Sequence, residues 1–320
     1  MVKVRSEIKV SPEEMRAAYC NALIAEAEKN ENIVSIDCDL ANSCGTKSFI
    51  QKFPGRAFNI GIQEQNACAM AGGLSRAGLV PFFHTFAVFA TRRVYDQAFL
   101  SCAYAGQNVK ICGCDSGVSA AFNGGTHMAF EDVGIMRVMP QMTIVEASDP
   151  TMMRSIIPQV ANTYGCFYVR MPRKTVYDIY EEGSEFTIGK GEIIREGTDV
   201  TLIAVGMEVV EALKAADMLA EEGISARVVD MFTIKPLDEE LVNRCAAETG
   251  AIVTCENQSV IGGLGSAVTE VLCKNKPCPV EMIGVQDLFG EVGPMDYLQD
   301  RFELTAPYIV EKAKKVISRK

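Results

Sequence analysis

The sequence predicts an α/β protein of two domains, each with a mainly parallel sheet flanked by helices. Short apolar segments alternate with longer amphipathic segments along most of the chain. This alternation is typical of parallel strands covered on both faces. The length of 320 residues suits two domains. A polar, acidic stretch at 171–190 interrupts the alternation, so we expect domains at 1–180 and 181–320.

The elements follow from local patterns. At 11–14 a capping serine, a proline and two glutamates favour a helix that runs to about residue 30. Apolar runs predict strands at 33–37, 79–83, 109–112, 142–145, 166–170, 200–205, 226–230, 251–255 and 280–283. Helical patterns are predicted at 63–77, 86–103, 150–162, 208–222, 238–249, 265–273 and 307–318.

Composition excludes several classes of protein. The formal net charge is −10, which argues against a broad basic face for nucleic acid or anionic membrane. No apolar run reaches the ~20 residues that span a bilayer. The N-terminal segment has no apolar core typical of a secretory signal, so we expect a cytoplasmic protein. In that setting the 12 cysteines are expected to be reduced. With two histidines in the chain we expect no structural zinc site, and no metal ligands are assigned to this chain.

Three features carry possible chemistry. Glu64 stands among apolar residues, which suits either a poised acid or an exposed position on an amphipathic helix. His127 follows a Gly-Gly-Thr loop, where either a functional or a structural histidine is expected. The glycine-rich turn at 262–265 follows a strand and opens a helix. It suits either phosphate binding or, as we favour, tight strand-to-helix packing.

A set of short motifs helps to choose between these interpretations. They occur in one order along residues 16–170 and include NIGIQEQ at 59–65, AGGL at 71–74, TFAVF at 85–89, DSGV at 115–118, GTH at 125–127 and SDP at 148–150. Together they resemble the pyrimidine-binding domain of the transketolase family, and the remainder is similar to the family's C-terminal domain. The resemblance covers nearly the whole chain and implies thiamine diphosphate as cofactor.

One family motif is missing. Thiamine-diphosphate enzymes carry a Gly-Asp-Gly…Asn motif for the metal and pyrophosphate, and no Gly-Asp-Gly occurs here. The resemblance therefore implies a C-terminal subunit of a split transketolase. Its partner would be an N-terminal subunit that holds the pyrophosphate and the ligands of Mg²⁺ or Ca²⁺. Two copies of each subunit are expected, with the cofactor at the interface.

The resemblance also assigns cofactor residues. Glu64 matches the carboxylic acid that hydrogen-bonds the far pyrimidine nitrogen and promotes the imino tautomer. Phe86 and Phe89 match aromatics around the pyrimidine ring, Arg92 stands where some members have another aromatic, and Asp39 matches the acid near the thiazolium. Stacking on such aromatics contributes ~0.5–1.5 kcal/mol beyond burial.

Substrate residues follow in the same way. Arg16, Ser43 and Arg170 match contacts to the sugar phosphate, and His127 matches the catalytic histidine near the reacting carbons. Two departures are expected to change sugar recognition: Cys114 replaces a phosphate-contacting histidine, and Asn123 replaces an aspartate that reads a hydroxyl. The implied reaction is ketol transfer from a xylulose 5-phosphate-like donor to an aldose phosphate. We expect either reduced discrimination at the hydroxyl beside the ketone or an unusual anionic sugar, branched or sulfonated.

Three alternatives stay open. The β subunits of 2-oxoacid dehydrogenases share the domain pair and also lack the pyrophosphate motif, but they usually lack the Gly-Thr-His loop. Deoxyxylulose-phosphate synthase shares that loop but is normally one chain. A non-catalytic interaction subunit is a third possibility, against which the retention of Glu64, Phe89 and His127 argues.

Overall fold

A computed structural model describes residues 2–174 and 176–320 and confirms the predicted α/β architecture. The strands are β1 (Val4–Val10), β2 (Ile33–Asp37), β3 (Ala57–Asn59), β4 (Val80–Phe86), β5 (Lys110–Cys114), β6 (Thr143–Glu146), β7 (Phe167–Arg170), β8 (Tyr177–Tyr180), β9 (Glu192–Arg195), β10 (Val200–Ala204), β11 (Ala226–Asp230), β12 (Thr233–Lys235), β13 (Ile252–Ser259) and β14 (Val280–Val285).

The helices lie mainly between these strands. They are α1 (Met15–Lys29), α2 (Ala41–Cys44), α3 (Lys47–Lys52), α4 (Glu64–Arg76), α5 (Ala87–Ala90), α6 (Tyr95–Gln97), α7 (Asp132–Arg137), α8 (Pro150–Asn162), α9 (Glu208–Glu221), α10 (Glu239–Thr249), α11 (Leu264–Lys274), α12 (Met295–Arg301) and α13 (Ala306–Ile317). Short 3₁₀ turns occur at Pro54–Arg56, Arg92–Val94 and Gly117–Asn123, and a π-helical segment at Ala98–Tyr104.

Two parallel sheets form the centres of the fold. The first has the order β12-β6-β7-β5-β4-β2-β3, and the second has the order β14-β13-β10-β11-β9. All neighbours in these sheets are parallel except at the ends, where β12 pairs antiparallel with β6 and β9 with β11. The central strands are buried along their whole length, because helices cover both faces.

Two strand pairings join segments that are distant in sequence. β1 pairs antiparallel with β8, so the segment before α1 meets the segment that follows β7. β12 follows the second sheet's β11 in sequence, yet its pairing lies in the first sheet. The predicted domain limits at 180 and 181 stay a prediction.

Helix ends follow ordinary capping chemistry. Asp149 accepts a hydrogen bond of 2.7 Å from the Met152 amide, and Pro150 occupies the first position of α8. Asp238 caps α10 through the Leu241 amide at 3.1 Å, and Gly250 ends that helix in the left-handed region.

The predicted helix at 86–103 is wrong in detail. The segment is divided into β4's last residue, α5, a 3₁₀ turn, α6 and the π-helical segment. The break occurs at Thr91, whose φ of −124° and ψ of −80° are not helical and whose hydroxyl donates to the Ala87 carbonyl at 2.7 Å. Because of this break, the side chains of Arg92 and Arg93 point to different partners.

A buried ionic network lies between the two sheets. Arg170 is 0% exposed and donates to Asp132 and Glu146, each at 2.7 Å. Its remaining nitrogen donates to the carbonyl oxygens of Ala129 at 3.3 Å and Asn257 at 3.1 Å. Because Asn257 belongs to β13, Arg170 links the two halves of the protein.

Another buried acid near this network, Glu208, is not hydrogen-bonded within the described residues. Glu208, at the start of α9, is fully buried, and in the described part of the chain neither of its carboxyl oxygens has a hydrogen-bond partner. Burial, together with the nearby Glu211 and Glu146, raises the pKa of Glu208 well above its ordinary value.

None of the helices in the described residues combines the length and apolar character needed to cross a bilayer. The cytoplasmic location stays a prediction.

Candidate active site

The candidate site lies at one edge of the first sheet. The parallel strands β2, β4 and β5 end at Asp37, Phe86 and Cys114, so the residues that follow these strands meet at their carboxyl ends. In open α/β sheets this edge is where ligands bind. Several of the site residues predicted from sequence, including Asp39, Glu64, Phe86 and His127, lie at these ends or just beyond them.

Glu64 is the first residue of α4 and is 3% exposed. Its Oε1 accepts a hydrogen bond of 2.9 Å from Nη1 of Arg93. The Arg93 guanidinium also lies over the ring of Phe89, with Cζ 3.7 Å from the ring centroid. A buried carboxylate, a flat cation and an aromatic face are therefore in direct contact.

The two predicted aromatics and His127 form a cluster of rings. The centroids of Phe86 and Phe89 are 6.2 Å apart. His127 meets both rings edge-on, at 5.3 Å from Phe89 and 6.0 Å from Phe86. The Thr126 hydroxyl is 2.9 Å from Nδ1 of His127 and fixes the orientation of the imidazole. The structure therefore brings together Phe86, Phe89 and His127.

Asp39 is exposed and sits on a strained turn after β2. Its φ is +65°, in the left-handed region that few residues other than glycine adopt. Asn59, at the end of β3, holds it by accepting from the Asp39 amide at 3.1 Å and donating to its carboxylate at 3.2 Å. Such strain is frequent at functional sites.

Arg16 and Ser43 are also brought together. Nη1 of Arg16 donates to the backbone carbonyls of Asn42 at 2.9 Å and Ser43 at 3.1 Å, while its Nε donates to Glu14 at 2.7 Å. These contacts anchor a cationic side chain at the rim of the site. The predicted role of this pair in binding an anionic sugar stays a prediction.

Sequence reasoning missed Arg173. Its Cζ is 5.6 Å from the Phe86 ring centroid, and its Nε is 3.1 Å from Oδ1 of Asp115 without hydrogen-bond geometry. Asp115 is buried and also accepts from Asn123 at 3.2 Å. Burial raises the pKa of Asp115 to about 6, although Arg173, Lys174 and Arg16 act in the opposite direction. Arg173 is therefore a cation beside Asn123 and the aromatic cluster.

Two predicted substrate residues require correction. Arg170 is enclosed in the network with Asp132 and Glu146, so its guanidinium has no surface for a sugar phosphate. Arg173, three residues later, is the arginine that reaches the site. Cys114 is fully buried beside the thiol of Cys44, so its side chain has no surface for a substrate either.

Arg92 is placed differently from expectation. It forms an ion pair of 2.8 Å with Glu131 and is more than half exposed. The adjacent Arg93, and not Arg92, lies on the Phe89 ring. The predicted cofactor role of Arg92 thus lacks support in this arrangement.

The glycine-rich turn at 262–265 has a structural explanation. The carboxylate of Glu256 accepts from the amides of Leu264 at 2.6 Å and Gly265 at 2.8 Å. A Cβ at Gly263 would lie 1.9 Å from this carboxylate. The start of α11 is therefore already occupied by an internal carboxyl group, as the packing interpretation requires.

The other histidine lies below the site, in the core. His84 is buried, with Nε2 2.7 Å from the Tyr19 hydroxyl and Nδ1 3.3 Å from the Ser35 hydroxyl. The same Tyr19 hydroxyl is 3.0 Å from Sγ of Cys112. Burial lowers the pKa of His84 to about 4, so this histidine is a neutral core residue at physiological pH.

The fold is that of an α/β protein with two mainly parallel sheets, and the candidate site lies at the carboxyl edge of the first sheet. Residues 12–178 match the family model of the transketolase pyrimidine binding domain, and residues 189–309 match that of the transketolase C-terminal domain. The chain therefore belongs to the transketolase family, as its motifs predict.

Relatives give a finer comparison. The chain is 48% identical to the 6-deoxy-6-sulfo-D-fructose transketolase subunit of Clostridium sp., over 98% of both chains. It is 37% identical to one subunit of the apulose-4-phosphate transketolase of Phocaeicola vulgatus, covering 85% of this chain and 87% of that one. A solved split gene transketolase, described as an inactive beta4 tetramer, superposes with a TM-score of 0.90 at 42% identity, covering 96% of this chain and 99% of that one.

Proposed function

We propose that this chain binds the aminopyrimidine end of thiamine diphosphate and, with a partner subunit, transfers a two-carbon ketol unit between sugars. The observation that carries the proposal is the buried carboxylate of Glu64 beside the ring cluster of Phe86, Phe89 and His127. When bound, the cofactor supplies the electron sink for carbon–carbon cleavage. The partner holds the pyrophosphate and its magnesium ion, because this sequence has no Gly-Asp-Gly.

The residues present fit the pyrimidine end of this cofactor. An aminopyrimidine needs an aromatic face and a carboxyl group at its edge. Both groups are present here, because the flat guanidinium of Arg93 already contacts them. Its Cζ lies 3.7 Å from the Phe89 ring centroid, and it donates to Glu64 at 2.9 Å. A pyrimidine ring placed on Phe89 would meet the same acceptor. This arrangement supports the cofactor assignment from the chain's own geometry.

The side chains then take separate roles. Glu64 would hydrogen-bond the far pyrimidine nitrogen, and its buried surroundings would strengthen that hydrogen bond. Phe86 and Phe89 hold the ring and exclude water from it. His127, oriented by the Thr126 hydroxyl, would contact the sugar near the reacting carbons, and Asp39 would lie toward the thiazolium end of the cofactor.

For the substrate we propose a ketose with a terminal anion. Arg16 and Arg173 are cations at the rim, and arginine binds tetrahedral oxyanions well because its donors form a fork. Both phosphate and sulfonate present such oxygens. The 48% identity to a sulfofructose transketolase subunit favours a sulfonated donor over xylulose 5-phosphate. The acceptor of the two-carbon unit is an aldose phosphate.

The partner would dock beside the His127 loop. The loop of residues 287–293 carries Phe289, which is 99% exposed, and the exposed Val292. It packs on the catalytic loop, because a Cβ at Gly125 would lie 2.0 Å from the Gly290 carbonyl. A cleft of about 360 Å³ lies between the two loops. Because the cofactor must bridge both subunits, this apolar rim continues the proposed interface, and we assign it to the partner with the pyrophosphate domain.

One co-expression experiment tests the whole proposal. The chain is purified alone and together with a pyrophosphate-domain subunit from the same genome, with thiamine diphosphate and magnesium. Donors are 6-deoxy-6-sulfofructose, apulose 4-phosphate and xylulose 5-phosphate. We expect turnover only from the complex, and fastest with the sulfonated donor. Activity of the isolated chain would refute the split-site proposal, and equal rates on all donors would refute the substrate assignment alone.

A further inference from the structure

The Glu64 carboxylate is closed off by one side chain. Arg93 is 41% exposed whereas Glu64 is 3% exposed, so the arginine covers the acid from the solvent side. Its contacts use both properties of a guanidinium: the charge pairs with Oε1 of Glu64 at 2.9 Å, and the plane lies on the Phe89 ring at 3.7 Å.

This position is a consequence of the broken helix. Thr91 leaves helical geometry, and the 3₁₀ turn that follows sends two successive arginines in different directions. Arg92 pairs with Glu131, which places it at the rim. Arg93 turns toward Glu64 and Phe89. The two adjacent arginines therefore have different environments, and only Arg93 contacts Glu64.

The contact gives the cofactor-free subunit a stable form. A buried carboxylate without a partner is costly, and the ion pair with Arg93 removes that cost. The same contact blocks the chemistry proposed for Glu64, because Oε1 already accepts a hydrogen bond from the Arg93 guanidinium.

We propose that Arg93 occupies the place of the pyrimidine ring in the cofactor-free subunit and swings outward when the cofactor binds. This inference rests on the proposed function. Glu64 then exchanges one flat donor for another, and Phe89 exchanges one stacked group for another. A ligand displaces Arg93 when it offers both a ring and a donor. Arg93 is thus a positioning residue that competes with the cofactor.

The test measures cofactor affinity rather than turnover. Isothermal titration calorimetry of the assembled complex with thiamine diphosphate and magnesium compares wild type with Arg93→Ala. Because Arg93 is partly exposed, its ion pair and its cation–π contact are each modest. Removing this competing side chain should tighten cofactor binding roughly tenfold, which corresponds to about 1.4 kcal/mol. Arg93→Lys keeps the charge but cannot stack as a plane, so a smaller gain is expected.

Two controls separate this effect from general charge removal. Arg76→Ala removes a positive charge at the exposed end of α4, the helix that begins at Glu64, and we expect unchanged affinity. In a Glu64→Gln background the ion pair is gone, so Arg93→Ala should then tighten binding much less. Persistence of the full gain in that background would overturn the inference.

The outcomes distinguish two kinds of failure. If the wild type binds thiamine diphosphate and Arg93→Ala binds it equally or more weakly, Arg93 is a neutral or direct cofactor contact and the inference alone fails. If the wild-type complex and all variants bind no thiamine diphosphate, the proposed function fails and the inference fails with it.

Discussion

Replacing Glu208 with glutamine is expected to stabilise this protein at neutral pH. Glu208 is fully buried, and its carboxyl oxygens have no hydrogen-bond partner among the residues the structure describes. Burial is the main reason that its pKa is raised well above the ordinary value, Glu211 and Glu146 add to the effect, and Lys214 opposes it. Glutamine has nearly the shape of the protonated acid but does not titrate.

The size of the effect follows from proton binding. With a raised pKa, the folded state keeps a proton that the unfolded state releases. The contribution of Glu208 to stability is therefore full below its ordinary pKa of 4.5 and is lost as the pH rises toward the raised value. Within that window the loss is ~1.36 kcal/mol per pH unit. For each pH unit between 4.5 and the raised pKa, the wild type should therefore lose up to ~1.36 kcal/mol of stability relative to Glu208→Gln.

The assay is urea denaturation of both proteins at pH 5.5, 6.5 and 7.5. The difference in free energy of unfolding between variant and wild type should grow steadily with pH. Glu221→Gln, at the exposed end of the same helix, is the matched control and should show no such growth. Parallel stability curves for wild type and Glu208→Gln would show that Glu208 is ionised in the folded protein, and the reasoning would be refuted.

Further predictions concern the site and the assembly. Glu64→Gln should lower turnover by ~10²–10⁴-fold with an unchanged circular dichroism spectrum, because the pyrimidine loses its acid. Arg173→Ala should raise KM for an anionic donor by ~10-fold or more and change kcat less, since a charge-assisted hydrogen bond is lost. Phe289→Ser should weaken association with the partner by roughly 30-fold, measured by analytical ultracentrifugation, as for a central interface aromatic.

For each of these variants, one outcome would contradict the prediction. Near-normal turnover of Glu64→Gln would mean that another carboxyl group serves the cofactor. If Arg173→Ala loses affinity equally for an uncharged ketose, the arginine does not bind the anionic group of the donor. Tyr104→Ser removes an exposed aromatic just before β5, at the opposite edge of the sheet, and provides the control for Phe289→Ser. Equal association of both variants with the partner would refute the docking surface.

The central strands were predictable because they are buried on both faces. Segments such as β2 and β10 are almost continuous runs of apolar residues, which makes them visible in sequence. The strands that were missed, including β1, β9 and β12, are short or half-exposed edge strands with mixed polarity. Their pairing depends on distant segments, so no local pattern reports it.

The helix at 86–103 failed for a different reason. Its composition is helical, but the Thr91 hydroxyl bonds the backbone four residues earlier and the following turn tightens. Threonine competes with the helix in this way without changing the apolar pattern. The break then decides which arginine faces the site, and the sequence has no local mark for that choice.

The site was predictable from the order of its motifs, and the arginines were not. Arg170 and Arg173 stand in one segment, and both match the charge expected of a phosphate contact. What separates them is the buried pair Asp132 and Glu146, which claims Arg170 from another part of the chain. A buried cation requires such partners, and their proximity is known only after folding.

The pairing of β12 with β6 has a consequence for how the chain can be divided. A fragment ending at residue 180 would contain β6 but not Thr233–Lys235, so it would present the bare edge of a hydrophobic sheet. Such edges recruit other strands, so the fragment should aggregate rather than fold as a separate module. In hydrogen exchange, the amides of β6 should open together with those of the second sheet, as a single cooperative unit.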